Sequence, residues 1–221
     1  MLGHPPAHYW GVDPERVMTS PDQPSGDHTW SAKGGYVRDF QDTFDASKFQ
    51  LDASFILQLD PLFQWTLEAA RQAWVGAGYS PTSRTERAGV ILGNLSYPTR
   101  ALSDFALDVW RGEEHASKTL PINRYMSGLP AQIVANALGA AGESFCLDAA
   151  CASSLYAVKL ASERLQDGRA DVMLVGGVNH ADDLFLHIGF CALKAMSRTG
   201  QSRPFHNDAD GLVPAEGAGF V

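Results

Sequence analysis

Residues 144–177 constrain the fold of this chain more than any other stretch. SFCLD is a short apolar run suited to a strand. ASSLYAVKLASERLQDG carries apolar residues at helical spacing and stops at Gly168. DVMLVGG is a second apolar run, suited to a strand covered on both faces. Strand, helix and strand in so short a segment predict a right-handed parallel crossover and hence an α/β fold. Helical spacing places Leu155, Val158 and Leu165 on the inward face of that helix.

Other segments agree with this class. AGVILGN, residues 88–94, predicts a strand buried on both faces. Asp60 as cap, Pro61 in the first turn, Leu62, Trp65 and Ala69 at helical spacing, and Gly76 and Gly78 as stops predict a helix. A second helix sets Leu102, Phe105, Ala106 and Val109 against Asp104 and Asp108. A third, over 130–138, carries Ile133, Val134, Ala137 and Leu138 inward and ends at Gly139. Residues 1–35, rich in Pro, Gly, His and Asp, show no lasting period. They predict an irregular segment of the same domain as residues 36–221.

Composition narrows the function. A formal net charge of -8 argues against a nucleic-acid partner. No apolar run approaches the roughly 18 residues of a membrane span and no secretory pattern opens the chain, so a cytoplasmic protein without a membrane role is expected. The three cysteines, Cys146, Cys151 and Cys191, form neither a C-x-x-C pair nor an even set, which argues against disulfides and zinc alike. His180, His187 and His206 fit no standard metal-ligand spacing and are expected in ordinary polar or capping roles, with no metal. Gly176 and Gly177 lack a G-x-G-x-x-G context, so they predict close backbone packing rather than a nucleotide-binding turn.

DAACASS, residues 148–154, places Cys151 where the first strand turns sharply into the helix, among residues small enough for that turn. A thiol there faces unpaired backbone N–H groups and the positive end of the helix dipole, both of which favour a thiolate. The same N–H groups can receive the oxyanion formed when a thioester carbonyl is attacked. From these residues alone, a nucleophile and a small apolar core group both fit Cys151. An α/β-hydrolase does not, because its elbow requires G-x-S-x-G.

The segments LDAACASSLYAVKLASERLQDGRADVMLVGGVNHADD and ALKAMSRTGQSRPFHNDADGLVPAEGAG resemble the centre of β-ketoacyl synthases of the type I polyketide and polyunsaturated fatty acid synthase kind. In order, they contain a D-x-A-C-x-S nucleophile motif, its helix, an A-D-x-x-L-x-G-G strand and an S-x-x-G-x-S-x-P-F…D-G…E-G-A-G run. GGYVRDFQDTFDASKFQL and DPLFQWTLEAARQAWVGAGY resemble the family's upstream segments. HYWGVDP, NRYMSGLPA and NHADDLFLHIGF lean toward the polyunsaturated fatty acid branch.

The resemblance implies a thiolase-like fold layered α/β/α/β/α, of which this chain is mainly the N-terminal half. It implies that Cys151 accepts an acyl group from the phosphopantetheine arm of an acyl carrier protein, with no bound cofactor. The acyl-enzyme is then attacked by the carbanion from decarboxylating malonyl-carrier protein. It implies a homodimer in the complete domain, with SFCLD pairing across a two-fold axis. Phe190 matches a position lining the acyl pocket, although an aromatic in HIGFCAL would be buried in any case; Cys146 and Cys191 are expected to pack in cores.

The family decarboxylates with two histidines of its C-terminal half, in H-G-T-G-like and G-H-like stretches. None of His4, His8, His28, His115, His180, His187 and His206 stands in such a context. The expectation is a domain incomplete at both ends, as a fragment, split gene or partial gene product, whose C-terminal half is a missing partner. The alternative is a non-catalytic ketosynthase-like half serving dimerisation or scaffolding.

Overall fold

The computed structural model describes residues 2–4, 10, 12–95, 99–112, 120–125, 128–180 and 184–221. The chain forms two compact units, Met1–Phe40 with His180–Gly217, and Gln41–Asn179 with Ala218–Val221. In the first, Leu2–Gly3 (β1) pairs antiparallel with Gly34–Gly35 (β2).

The second unit contains Ala53–Leu57 (α1), Pro61–Gly76 (α2), Ala88–Asn94 (β3), Arg100–Arg111 (α3), Leu129–Leu138 (α4), Ser144–Leu147 (β4), Ser153–Gln166 (α5) and Val172–Asn179 (β5). With Gly217–Phe220 (β6) these strands form one sheet in the order β4-β3-β5-β6. Both β4 and β5 run parallel to β3, with Phe145 and Val175 flanking Ile91. The chain therefore crosses over β3 between β4 and β5, through α5, as a parallel crossover requires. Val175 and Val221 exchange both backbone hydrogen bonds, at 2.9 and 2.8 Å, which makes the last strand an antiparallel edge.

Local signals explain the helix that starts the core. The Asp60 carboxylate accepts the Leu62 N–H at 3.0 Å, Pro61 fills the first turn, and Gly78 turns the chain away at φ +88°. Strand alternation then divides the apolar residues between two faces. Val90, Leu92, Leu174 and Val178 join α2 and α4 in the large core, where Leu67, Trp74, Val134 and Leu138 are fully buried. Ile91 and Val175 point the other way, onto Ala157 and Ala161 of α5.

Two expectations about helix faces are corrected. Leu155, Val158 and Leu165 do not point inward; they are 73%, 43% and 43% exposed. The buried face of α5 toward the sheet is instead Ser153, Ala157 and Ala161, one residue per turn, with Leu160 packed partly buried at its margin. Val109 is likewise exposed. Helix α3 packs on the turn Pro121–Arg124, where the Arg124 guanidinium sits 4.0 Å above the Phe105 ring.

The first unit also holds Leu184–Ala192 (α6). Its core groups Trp30, Cys191 and Met196 with Phe190 and Leu212 packed on them. His187 is fully buried; its Nδ1 lies 3.1 Å from the Ser31 carbonyl and its Nε2 3.4 Å from the Tyr36 hydroxyl. The Asp210 carboxylate accepts from Ser197 Oγ at 2.6 Å and from the Thr199 N–H at 2.8 Å, tying the 197–210 loop together. Among the described residues no helix is long and apolar enough to cross a membrane.

Candidate active site

The chain segment just beyond β4 builds the site. The Asp148 carboxylate accepts the Ala150 N–H at 2.9 Å, an Asx-type turn that bends the chain as the strand ends. Ala150 then adopts φ +51°, a left-handed conformation that is costly for a residue with a Cβ. A short 3-10 turn, Ala150–Ala152, carries Cys151 and runs directly into α5. Cys151 is exposed there, at the strand-to-helix turn where the sequence places it.

Ser153 holds the turn in this shape. Its buried Oγ accepts the Ala149 N–H at 2.9 Å and donates to the Ala150 carbonyl at 2.7 Å, so one hydroxyl spans the strained residue from both sides. The helix start can come this close to the sheet because of Gly93 on β3. A Cβ at that position would lie 2.5 Å from the Ser153 carbonyl carbon. Gly176 meets the same need on its own strand, since a Cβ there would lie 2.4 Å from the Gly219 carbonyl oxygen. That is the close backbone packing expected of it.

The other thiols differ in kind. Cys146 points from β4 toward α4, where its Sγ accepts the Ala131 N–H at 3.4 Å, and burial pushes its pKa up to about 11. Cys191 is buried with its Sγ 3.3 Å from Thr29 Oγ1. Both occupy packing positions, as expected, and of the three thiols Cys151 is the exposed one.

Phe190 lies on α6, half-buried against Trp30, Cys191 and Met196 of the first unit's core. His187 is a buried hydrogen-bonding group whose pKa burial lowers, and His206 Nδ1 accepts the Asp208 N–H at 3.1 Å. Among the described residues no group of three His, Cys, Asp or Glu side chains could hold a metal ion. His8, His115 and parts of HYWGVDP, NRYMSGLPA and NHADDLFLHIGF lie outside the described residues.

The Ser153 bridge and the left-handed Ala150 have no signature in hydrophobic periodicity. The small residues of DAACASS were their one sequence signal, and they indicated a tight turn without showing which atoms hold it.

A mixed, mainly parallel sheet that presents a cysteine from a strained strand-to-helix turn places the chain among α/β proteins with a thiol elbow. Residues 6–221 match the beta-ketoacyl synthase N-terminal domain, and the chain belongs to that family. It is 34% identical over 98% of its length to the PKS-NRPS hybrid synthetase ATPKS of Aspergillus niger, of which it spans 11%. It is 30% identical over 96% of its length to the pikromycin polyketide synthase component PikAIII of Streptomyces venezuelae, of which it spans 13%. Among solved structures, the PfaC keto synthase-chain length factor superposes over 99% of this chain with a TM-score of 0.88 and 36% identity, the chain covering 25% of it. The oxazolomycin ketosynthase domain OzmH KS7 of Streptomyces albus superposes over 99% with a TM-score of 0.77 and 27% identity, 36% of that chain being covered. The fold is thus thiolase-like, and this chain supplies the N-terminal domain of it.

Proposed function

We propose that the protein acts as a β-ketoacyl synthase with Cys151 as its acyl-carrying nucleophile. The single observation that carries this reading is the elbow: an exposed thiol at a strained turn, directly before the N-terminus of α5. Backbone N–H groups at a helix start stabilise developing negative charge, which both a thiolate and a tetrahedral oxyanion carry. In the first half-reaction Cys151 takes an acyl group from the phosphopantetheine arm of an acyl carrier protein. In the second, the carbanion from decarboxylating malonyl-carrier protein attacks the acyl-enzyme and releases a β-ketoacyl chain two carbons longer.

On this reading Phe190 lines the acyl pocket, the acyl carrier protein is the delivering partner, and the complete domain works as a homodimer. The C-terminal half of the ketosynthase supplies the two histidines for decarboxylation. An exposed cysteine on a strained turn supports catalysis over a purely scaffolding role, which would need neither feature.

The test incubates the protein with an acyl-carrier thioester and malonyl-carrier protein, and reads intact mass together with released carbon dioxide. An acyl adduct on Cys151 is expected, lost in Cys151→Ala, with no carbon dioxide from the 221-residue chain alone. An adduct that survives Cys151→Ala would overturn the assignment. Carbon dioxide release from this chain alone would place the decarboxylating group among its own residues.

A further inference from the structure

We infer that Ser153 is a positioning residue that aims and polarises the backbone N–H of Cys151 as an oxyanion donor. This inference rests on the proposal that Cys151 is acylated. The Ala150 carbonyl and the Cys151 N–H belong to one peptide unit, and that unit is trans. In a planar trans peptide these two groups point in opposite directions, so fixing the carbonyl fixes the N–H. The Ser153 hydroxyl donates to that carbonyl at 2.7 Å. Withdrawing charge from the oxygen makes the N–H on the far side a stronger donor.

The same Oγ accepts the Ala149 N–H at 2.9 Å, so the hydroxyl hydrogen is committed to Ala150 and does not rotate freely. Ser153 is 6% exposed, which leaves little room for a water to take over both bonds if the hydroxyl is removed. Without this brace the Ala150 carbonyl keeps only the Ser153 backbone N–H and the Ala149 N–H loses its acceptor, so Ala150, at φ +51°, has a reason to relax and turn the Cys151 N–H away. Ser153 thus acts through the peptide it holds and touches no substrate atom.

Acyl transfer joins Sγ of Cys151 to the thioester carbonyl carbon, and the carbonyl electron pair moves onto oxygen. Collapse of this intermediate breaks the bond to the phosphopantetheine sulfur, which departs as a thiol carrying the proton given up by Cys151. The oxyanion of this sequence needs the Cys151 N–H itself, whereas the thiolate draws on the N–H groups and dipole of the whole α5 start, which Ser153→Ala leaves in place. Alkylation of the same thiol by iodoacetamide forms no oxyanion, so the two reactions separate a donor from a scaffold.

The experiment measures both rates at Cys151 in the 221-residue chain for the wild type, Ser153→Ala, Ser153→Thr and, as a distant control, Ser162→Ala. Ser153→Ala is expected to slow acylation about ten- to hundredfold while alkylation changes less than about twofold. Ser153→Thr, which keeps the hydroxyl, is expected to restore acylation, and Ser162→Ala to leave both rates unchanged. Alkylation confined to Cys151 reports that a variant has kept its fold, because an opened protein would also label Cys146 and Cys191. If Ser153→Ala exposes those thiols, the Ser153→Thr pair of rates decides: slow acylation with normal alkylation despite a retained hydroxyl overturns the inference. Equal loss of both rates in a folded Ser153→Ala, or loss of neither, also overturns it while leaving Cys151 as the nucleophile. A wild type that alkylates but never acylates overturns the proposed function itself, and the role of Ser153 with it.

Discussion

The two faces of the central sheet are covered in opposite ways. On one, α2 and α4 bring Leu67, Trp74, Val134 and Leu138 against Val90, Leu92 and Leu174, and these side chains interlock with almost no exposure. On the other, the buried residues of α5 are Ser153, Ala157 and Ala161, which have little apolar area, with Leu160 only partly buried beside them. Apolar area drives stability at roughly 25 cal/mol per Å², so the first face contributes far more of it. What the second face gains is distance: small residues and Gly93 let the start of α5 approach β3, and that approach places Cys151 and its brace. One face holds the sheet together and the other aims the nucleophile.

The largest effect should come from the filled face. Trp74 is 1% exposed, and its indole Nε1–H donates to the Ser80 carbonyl at 3.2 Å. Trp74→Ala should cost about 3–5 kcal/mol, from lost transfer energy and an unfilled cavity. Denaturant unfolding followed by far-UV circular dichroism measures it. A cost near that of a surface substitution would mean this face does not carry the stability assigned to it.

On the close face the sign of the size change reverses. Gly93→Ala puts a Cβ 2.5 Å from the Ser153 carbonyl carbon, and because the obstacle is backbone the whole helix start must move. A cost of about 1–3 kcal/mol is expected from overpacking. Acylation at Cys151 should fall by more than that loss of stability explains. Unfolding midpoints and acyl-adduct rates on the same samples make the comparison, and a Gly93→Ala protein with wild-type acylation would break the link between close approach and nucleophile placement.

This contrast also explains how much of the molecule could be read from its sequence. Strand β3 and helix α2 were legible because AGVILGN, Asp60 and Pro61 act locally, through hydrophobicity and capping. The position of Cys151 was legible for a similar reason, since small residues between a strand and a helix mark a tight turn. The buried face of α5 was not. Periodicity ranks residues by hydrophobicity and therefore chose Leu155, Val158 and Leu165, whereas the helix-to-sheet distance selects by size and chose Ala157 and Ala161. The Ser153 bridge was invisible for another reason: a hydroxyl between two peptide groups depends on their orientation, which no composition encodes.

Cys146 and Cys151 sharpen the comparison further. Cys146 faces the filled side, and burial raises its pKa from an ordinary value of 9.0 to about 11. A thiol whose folded pKa lies above its unfolded one stabilises the fold fully below pH 9.0, and that contribution is lost as the pH rises toward about 11, because the unfolded thiol ionises first. Stability should therefore decline across this alkaline window, and Cys146→Ala should remove part of the decline. In iodoacetamide mapping near neutral pH, Cys151 should label well before Cys146 or Cys191. First labelling at Cys146 in a folded sample would contradict the burial that distinguishes the two faces.

The smallest effect is expected where the sequence pattern pointed to the core. Leu155 is 73% exposed, so Leu155→Ala removes little buried area and should change stability by no more than about 0.5 kcal/mol. The reciprocal change is informative beside it. Ala157 is fully buried against the sheet, and Ala157→Leu adds three carbons at that enclosed position, so making the helix more hydrophobic should destabilise it. A helix whose larger apolar residue is dispensable and whose smallest is not obeys packing distance rather than hydrophobic content. Urea unfolding at two protein concentrations distinguishes the alternatives. A loss well above about 0.5 kcal/mol for Leu155→Ala that grows with protein concentration would show this face of α5 to be covered by self-association, and the same loss independent of concentration would show the helix turned the other way.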